Sequence, residues 1–507
     1  MTKATKHIYT YLLLAATGWL VGGCGDFLDV NTDPTRLKSS SMPLVLSSAQ
    51  GSLAFYQGSD LFLYSSIFMQ QATGNGVTGG QMRLYDQYIV TNTDVNNAWS
   101  NYYSGSLADL NYVRQNAYAE GNPQYGGIAK ILQAYAYSAL VSAWGDIPYK
   151  ESLKGVKTPQ PKYDNNKEVY DSLFVLLDAG IADLAKTNVI TVGTEDLIYN
   201  GGSAGIAKWL KFANTLKLRL ALHYANDDGG AKLNAIINAG GPFMASNADN
   251  FEMAYENVTN RQNPIHQFEV NRQDQYWPGQ FLVSMMNLKA DPRRTTYFTP
   301  SPYPATFPYT PLVTDTYVGF APGANQSVAA SRIGTYLRGS VTADNLARTG
   351  GNLNALSLTF TGTASLRMLT FAEYNFIRAE AALVYGGAGS ATTFFQAGIK
   401  ASMDGAGLSG TAATLGATYG ATTYPAALTI KNIIEEKYVA NYGVAMESWN
   451  DWRRTGLPVL PANASAASQG NTVIPRILVY PLSETQVNAV NLPVRASLVV
   501  KSLFWDK

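Results

Sequence analysis

Gly201-Gly202-Ser203-Ala204-Gly205 matches G-x-S-x-G, the turn that holds a serine nucleophile between a strand and a helix. That chemistry needs a histidine base and a parallel sheet behind the turn. Beyond the first 23 residues the only histidines are His223 and His266, and the chain shows no β-α alternation. Ser203 therefore reads as a cap on a helix whose start needs glycine. Gly74-Asn75-Gly76-Val77-Thr78-Gly79 matches G-x-G-x-x-G, a phosphate cradle that requires a strand before it and a helix after it. Gln70 and Gln71 precede it, so it reads as a polar loop. The two histidines have no H-E-x-x-H spacing and no cysteine partners, so no zinc site is expected. Carboxylates are plentiful, but none stands out as a glycosidase pair. The Asn- and Asp-rich runs at 92–97 and 247–250 lack the spacing of a known calcium loop. No catalytic residue, metal or cofactor is expected, and the chain reads as a binding protein, not an enzyme.

The remaining chemistry is aromatic and amide. The 507 residues include 32 Tyr and 8 Trp, while Asp, Glu, Lys and Arg make up only 14%, against a typical value of about 25%. The net charge is +1, which leaves no electrostatic footprint for nucleic acid. An uncharged surface of amides and rings suits sugars, since rings stack on apolar sugar faces and amides meet hydroxyls. Aromatic residues on a helical face are more often core, so candidates come from irregular segments. Tyr85 and Tyr88 follow the glycine loop. Asn271, Arg272, Gln273, Tyr276 and Trp277 lie between helices, beside Pro278. Trp99 and Tyr102 are set aside as one face of a helix running on to Val113.

Helices must position these groups. Apolar residues at three-and-four spacing predict helices over Gly127–Trp144, Val169–Leu184, Ile206–Leu220, Tyr374–Val384 and Ile430–Tyr438. Gly145 can end the first with positive φ, and Pro148 stops its continuation. His223 falls near the end of the third, where a charged imidazole would suit the dipole. Arg453 or Arg454 can clamp Asp451 or Glu447, as a buried structural network. Pro-rich sequence from Asp291 and Gly-, Ala- and Thr-rich sequence at 315–365 and 386–428 predict long loops or short strands near 291–365 and 386–428.

The first 23 residues read as an export signal: Lys3 and Lys6, an apolar run from Ile8 to Val21, then small residues up to Cys24, the only cysteine. The apolar run is shorter than the about 20 residues a confident span needs. Cys24 reads as a lipid attachment point, resembling a bacterial lipobox. Residues 24–42 read as a tether and 43–507 as one domain. With Cys24 lipidated, no thiol remains for disulfides or metal.

Ordered segments along the chain resemble the SusD/RagB family of outer-membrane nutrient-binding lipoproteins. They are Cys24 to Asn31, Trp144-Gly145-Asp146-Ile147-Pro148-Tyr149, Lys208 to Leu220, Ile377 to Ala381, Glu447 to Arg454, Tyr480 to Glu484 and Leu503 to Lys507. The resemblance implies a mostly α fold, with tetratricopeptide-like helix pairs packed against an irregular, insertion-rich half with few short strands. It implies a lipid-anchored protein on the cell surface. It also implies a SusC/RagA-like TonB-dependent transporter as partner, a glycan ahead of a peptide as ligand, and no catalytic residues. Asp26 and Asp29 resemble the family's surface-export signal. An exported glycan-degrading enzyme, and a structural subunit of the transporter complex without its own ligand site, stay open as alternatives.

Overall fold

The computed structural model describes residues 41–75, 80–272, 275–304, 309–324, 330–344, 358–408, 418–420, 422–424, 427–495 and 497–507. Cys24, Asp26, Asp29 and Gln273 lie outside the described residues, as does most of the 74–79 glycine run.

The first described helix, α1 (Met42–Gly58), starts at the last residue of the expected tether. It leads to α2 (Asp60–Phe68) and then to β1 (Ala72–Gly74). Beyond the glycine run come α3 (Gln81–Asp86) and α4 (Asn96–Asn101). A wider π-helical turn, Tyr102–Leu107, carries α4 into α5 (Ala108–Ala119).

Next are α6 (Pro123–Trp144), α7 (Asn166–Leu184), α8 (Gly202–Asp228) and α9 (Ala231–Ala239). Neighbours in sequence pack on each other: α5 on α6, α6 on α7 and α8 on α9. Pro123 suits the first turn of α6, where its missing N–H would have had no helical partner. Almost every residue of α6 is buried, so it forms the axis of this half. Gly127 and Gly180 set how closely α6 and α7 approach. A Cβ on Gly127 would lie 2.8 Å from the Gly180 carbonyl oxygen.

Gly201 and Gly202 start α8 with φ of +60° and +63°. A Cβ on Gly201 would meet the Val192 carbonyl oxygen at 2.3 Å, so glycine is required there. Ser203 lies inside the first turn and makes no capping bond, contrary to expectation. The anchor is Asp196, whose Oδ2 accepts from Gly201 N at 3.3 Å and Trp209 Nε1 at 2.8 Å.

The second half is irregular. It contains α10 (Pro264–Asn271) and α11 (Gln280–Leu288). The described strands form three antiparallel two-stranded ribbons. β1 pairs with β3 (Tyr276–Pro278), β2 (Phe251–Met253) with β6 (Leu366–Leu369), and β4 (Val341–Asp344) with β5 (Leu358–Phe360). The segment expected as a loop at 386–428 contains a regular helix, α13 (Ala391–Gly405), packed on α12 (Phe371–Val384). Phe395, Ile399 and Met403, four apart, bury one stripe, and Ser390 Oγ accepts from Thr393 N at 3.3 Å. Its Gly, Ala and Thr content hides that stripe.

The last long helices, α14 (Ile430–Ala440) and α15 (Ala445–Thr455), close a buried ionic network with α8 and α12. Arg219 Nε donates to Glu373 Oε1 at 2.7 Å. Lys437 Nζ lies 2.9 Å from Asp451 Oδ2 and 3.6 Å from Glu447 Oε1. Arg454 grips Glu380 through both terminal nitrogens and lies 2.9 Å from Asp451. His223 Nε2 is 3.2 Å from Glu447 Oε1. Burial holds the His223 pKa below its ordinary value, with Glu447 opposing. It is therefore a core imidazole facing Glu447, and not a dipole-stabilised cation near a helix end. The segments that carry the family resemblance are thus largely structural. Trp144 Nε1 donates to Val479 O at 2.8 Å, and Asp146 Oδ1 accepts from Asn166 N at 2.8 Å.

Candidate functional site

The two sequence clusters, 85–88 and 271–277, meet at the β1–β3 ribbon. Thr73 pairs with Trp277 and Gly74 with Tyr276. The ribbon has core on both sides, and this decides the fate of its rings. Tyr276 is fully buried, with its hydroxyl 3.1 Å from Ser66 Oγ and its ring 5.9 Å from that of Phe62. Trp277 is also fully buried, stacked on Phe320 at 5.0 Å with the Arg332 guanidinium 4.0 Å from its ring centre. Tyr88, at φ +59°, is buried edge-on to Phe68. The expectation that these rings face a ligand is corrected: they back the surface and do not form it.

What reaches the surface is polar. Arg272 caps the C-terminal end of α10 and is exposed, as is Asn271 before it. Arg272 Nη1 donates to Gln81 Oε1 at 2.6 Å, and its guanidinium lies 5.7 Å from the Phe268 ring centre. Gln81 Nε2 bonds the Tyr85 hydroxyl and lies 3.4 Å from Asp94 Oδ1. The Tyr85 ring is buried, and its hydroxyl lies 3.3 Å from Asp94 Oδ1 and 3.4 Å from the Tyr64 hydroxyl. Thr91 steadies Asp94 through its N–H at 2.7 Å and its hydroxyl at 2.6 Å.

Asp60, half-buried in the first turn of α2, completes the cluster. Burial pushes its carboxyl up to about 6; Arg272 pulls it down and Asp94 pushes it up. Asp60, Tyr64, Gln81 and Asp94 were missed by sequence reasoning. Asp60 and Gln81 each start a short helix and Asp94 lies just before one, while Tyr64 sits inside a buried helix and carries no such signal. Only the fold brings them to Arg272. Among the described residues, no group of three His, Cys, Asp or Glu side chains is placed to hold a metal ion. The arrangement can bind a hydroxyl-rich ligand, offering guanidinium and amide donors beside carboxylate acceptors.

Residues 34–481 match the SusD-like family, described as starch-binding and associating with outer membrane. The chain belongs to this SusD-like family. No match is found among curated proteins. A SusD-like structure from Bacteroidetes has a TM-score of 0.75 at 20% identity, covering 92% of this chain and 100% of its own. A SusD/RagB family protein from Bacteroides thetaiotaomicron has a TM-score of 0.68 at 21% identity, covering 89% and 95%. A chitin-binding SusD homolog from Flavobacterium johnsoniae has a TM-score of 0.66 at 22% identity, covering 87% and 94%. At these identities the likeness shows the fold: helix pairs and few short strands, as in this SusD-like protein. Among its described residues, no helix is long and apolar enough to cross a membrane.

Proposed function

We propose that the protein is a cell-surface lipoprotein, anchored at the outer membrane through Cys24, that captures an oligosaccharide and delivers it to a SusC/RagA-like TonB-dependent transporter. The observation that carries this reading is the hydrogen-bonded chain Arg272–Gln81–Asp94, with Asp60 close enough to feel the charges of Arg272 and Asp94. Arg272, with Asn271 beside it, supplies donors; Asp60 and Asp94 supply acceptors. Tyr85 positions Gln81 and Asp94, while Tyr88, Tyr276 and Trp277 stiffen the backing. Gln273 continues the same segment. The low charge of the chain favours a glycan over a peptide, and the family's starch-binding description supports the same class.

Calorimetric titration of the mature chain carrying Cys24→Ser tests this, using malto- and chito-oligosaccharides and short peptides. Glycan binding without breakdown, weakened by Arg272→Ala, is expected. Binding to peptides alone would move the ligand class, and release of shortened products would replace capture with catalysis. Recovery of a β-barrel transporter with the lipidated protein from detergent-solubilised membranes tests the partner.

A further inference from the structure

A cleft of about 670 Å³ opens on the helix-pair half between the π turn, α5 and the segments around 148–161 and 483–484. None of Asp60, Gln81, Asp94 or Arg272 lines it. Its size falls within the range of roughly 300–1,000 Å³ for small-molecule sites.

Both walls are made by unusual backbone. On one side, Tyr103 and Ser104 sit in the π-helical turn. Such turns are rare and occur frequently at functional sites. Here the turn packs closely on α1, where a Cβ on Gly105 would lie 3.0 Å from Ser52 Oγ. On the other side, Leu153 holds a φ of +61°, a costly conformation for a branched side chain.

The floor is rigid and aromatic. The Trp99 ring lies 5.0 Å from that of Tyr103 and 5.3 Å from that of Trp144, and it stacks on Tyr163 at 6.1 Å. Tyr103 donates to Pro148 O at 2.8 Å, which fixes its ring. Trp99 is buried, as expected of a helical face, and backs the cleft from beneath, while the half-buried rings of Tyr103 and Tyr112 reach it.

The walls carry uncharged polar groups, including Asn111, Gln115, Ser152 and Thr158. The carboxylates are partly engaged: Glu151 accepts from Lys162 N at 3.0 Å and Glu484 from the Tyr163 hydroxyl at 2.8 Å. A fixed aromatic floor under hydroxyl and amide walls fits a neutral saccharide.

We infer that this cleft is a second saccharide-binding site, independent of the polar cluster. It extends the proposed capture function, because two sites on one chain hold a long glycan more tightly than either alone. The test is calorimetry of the Cys24→Ser mature chain with maltohexaose and chitohexaose, alongside Trp fluorescence.

Ala108→Trp fills the cleft from a partly exposed helical position, and Tyr112→Ala removes a lining ring. Thermal melts check that both variants fold. The wild type should show two binding events with at least one probe. Each cleft variant should lose one event, together with the ligand-induced change in Trp emission, while Arg272→Ala keeps that event. Affinity for a long polymer should fall by roughly tenfold or more in the cleft variants. A single event untouched by either cleft variant and lost in Arg272→Ala would overturn the second site and leave the first standing. The reverse pattern would support the cleft and overturn the polar cluster. No binding of either probe by the wild type would overturn both.

Discussion

Lys437→Met removes a cation from the centre of the buried ionic network. Its Nζ lies 2.9 Å from Asp451, 3.6 Å from Glu447 and 4.0 Å from Glu373, and the side chain is 1% exposed. Arg219, Lys437 and Arg454 face Glu373, Glu380, Glu447 and Asp451, so three positive charges oppose four negative ones with His223 neutral. Losing Lys437 leaves two positive charges against the same four. Removing one partner of a buried pair costs about 3–5 kcal/mol.

Urea unfolding of the mature chain, read by circular dichroism, should show a loss of that size. Asp451→Asn on the same background should recover part of it, through a coupling of about 1–3 kcal/mol. Burial raises the Glu373 pKa, against Arg219 and Lys437. A carboxylate with a raised folded pKa favours the folded state more as pH falls towards that pKa. The Lys437→Met defect should therefore shrink on acidification below neutral pH. A loss under about 1 kcal/mol, or strict additivity with Asp451→Asn, would refute a tightly coupled network.

Trp277→Ala should cost about 3–5 kcal/mol of stability yet leave glycan affinity per folded molecule unchanged, as read by calorimetry on the folded fraction. Burial, with Arg338 adding to it, pulls the His266 pKa down to about 4. Its unfolded form binds a proton first, so stability should fall from about pH 6.5 towards pH 4. His266→Gln should flatten that part of a pH–urea series. Asp60, with its carboxyl near 6, should make glycan affinity vary between about pH 5 and 7. Asp60→Asn should abolish that variation in a pH series of titrations. Gly127→Ala should destabilise by about 1–3 kcal/mol, because its methyl group would press on the Gly180 carbonyl; thermal melting checks it.

The sequence by itself determined the helical frame. The apolar stripes of α6, α7, α8, α12 and α14 repeat at three-and-four spacing; four of the observed helices extend the expected span by a few residues, and α8 runs well beyond it at its C-terminal end, to Asp228. Helix periodicity is local, so a single chain segment displays it. The Glu447–Arg454 segment was also legible as a buried network, because two arginines among carboxylates and indoles must be paired if buried. Helix α13 was not legible, since its Phe395–Ile399–Met403 stripe is diluted by glycine and alanine.

Only the tertiary structure decided the site. Tyr276 and Trp277 lie between helices, as expected, but long-range pairing with β1 places core on both faces of their strand. Burial depends on what arrives from elsewhere in the chain, and that is not written in the neighbouring residues. The meeting of Arg272 with Gln81, 191 positions away, is likewise non-local. So is the aromatic floor beneath the π turn, where Trp99, Tyr163 and Tyr480 come together from three distant segments.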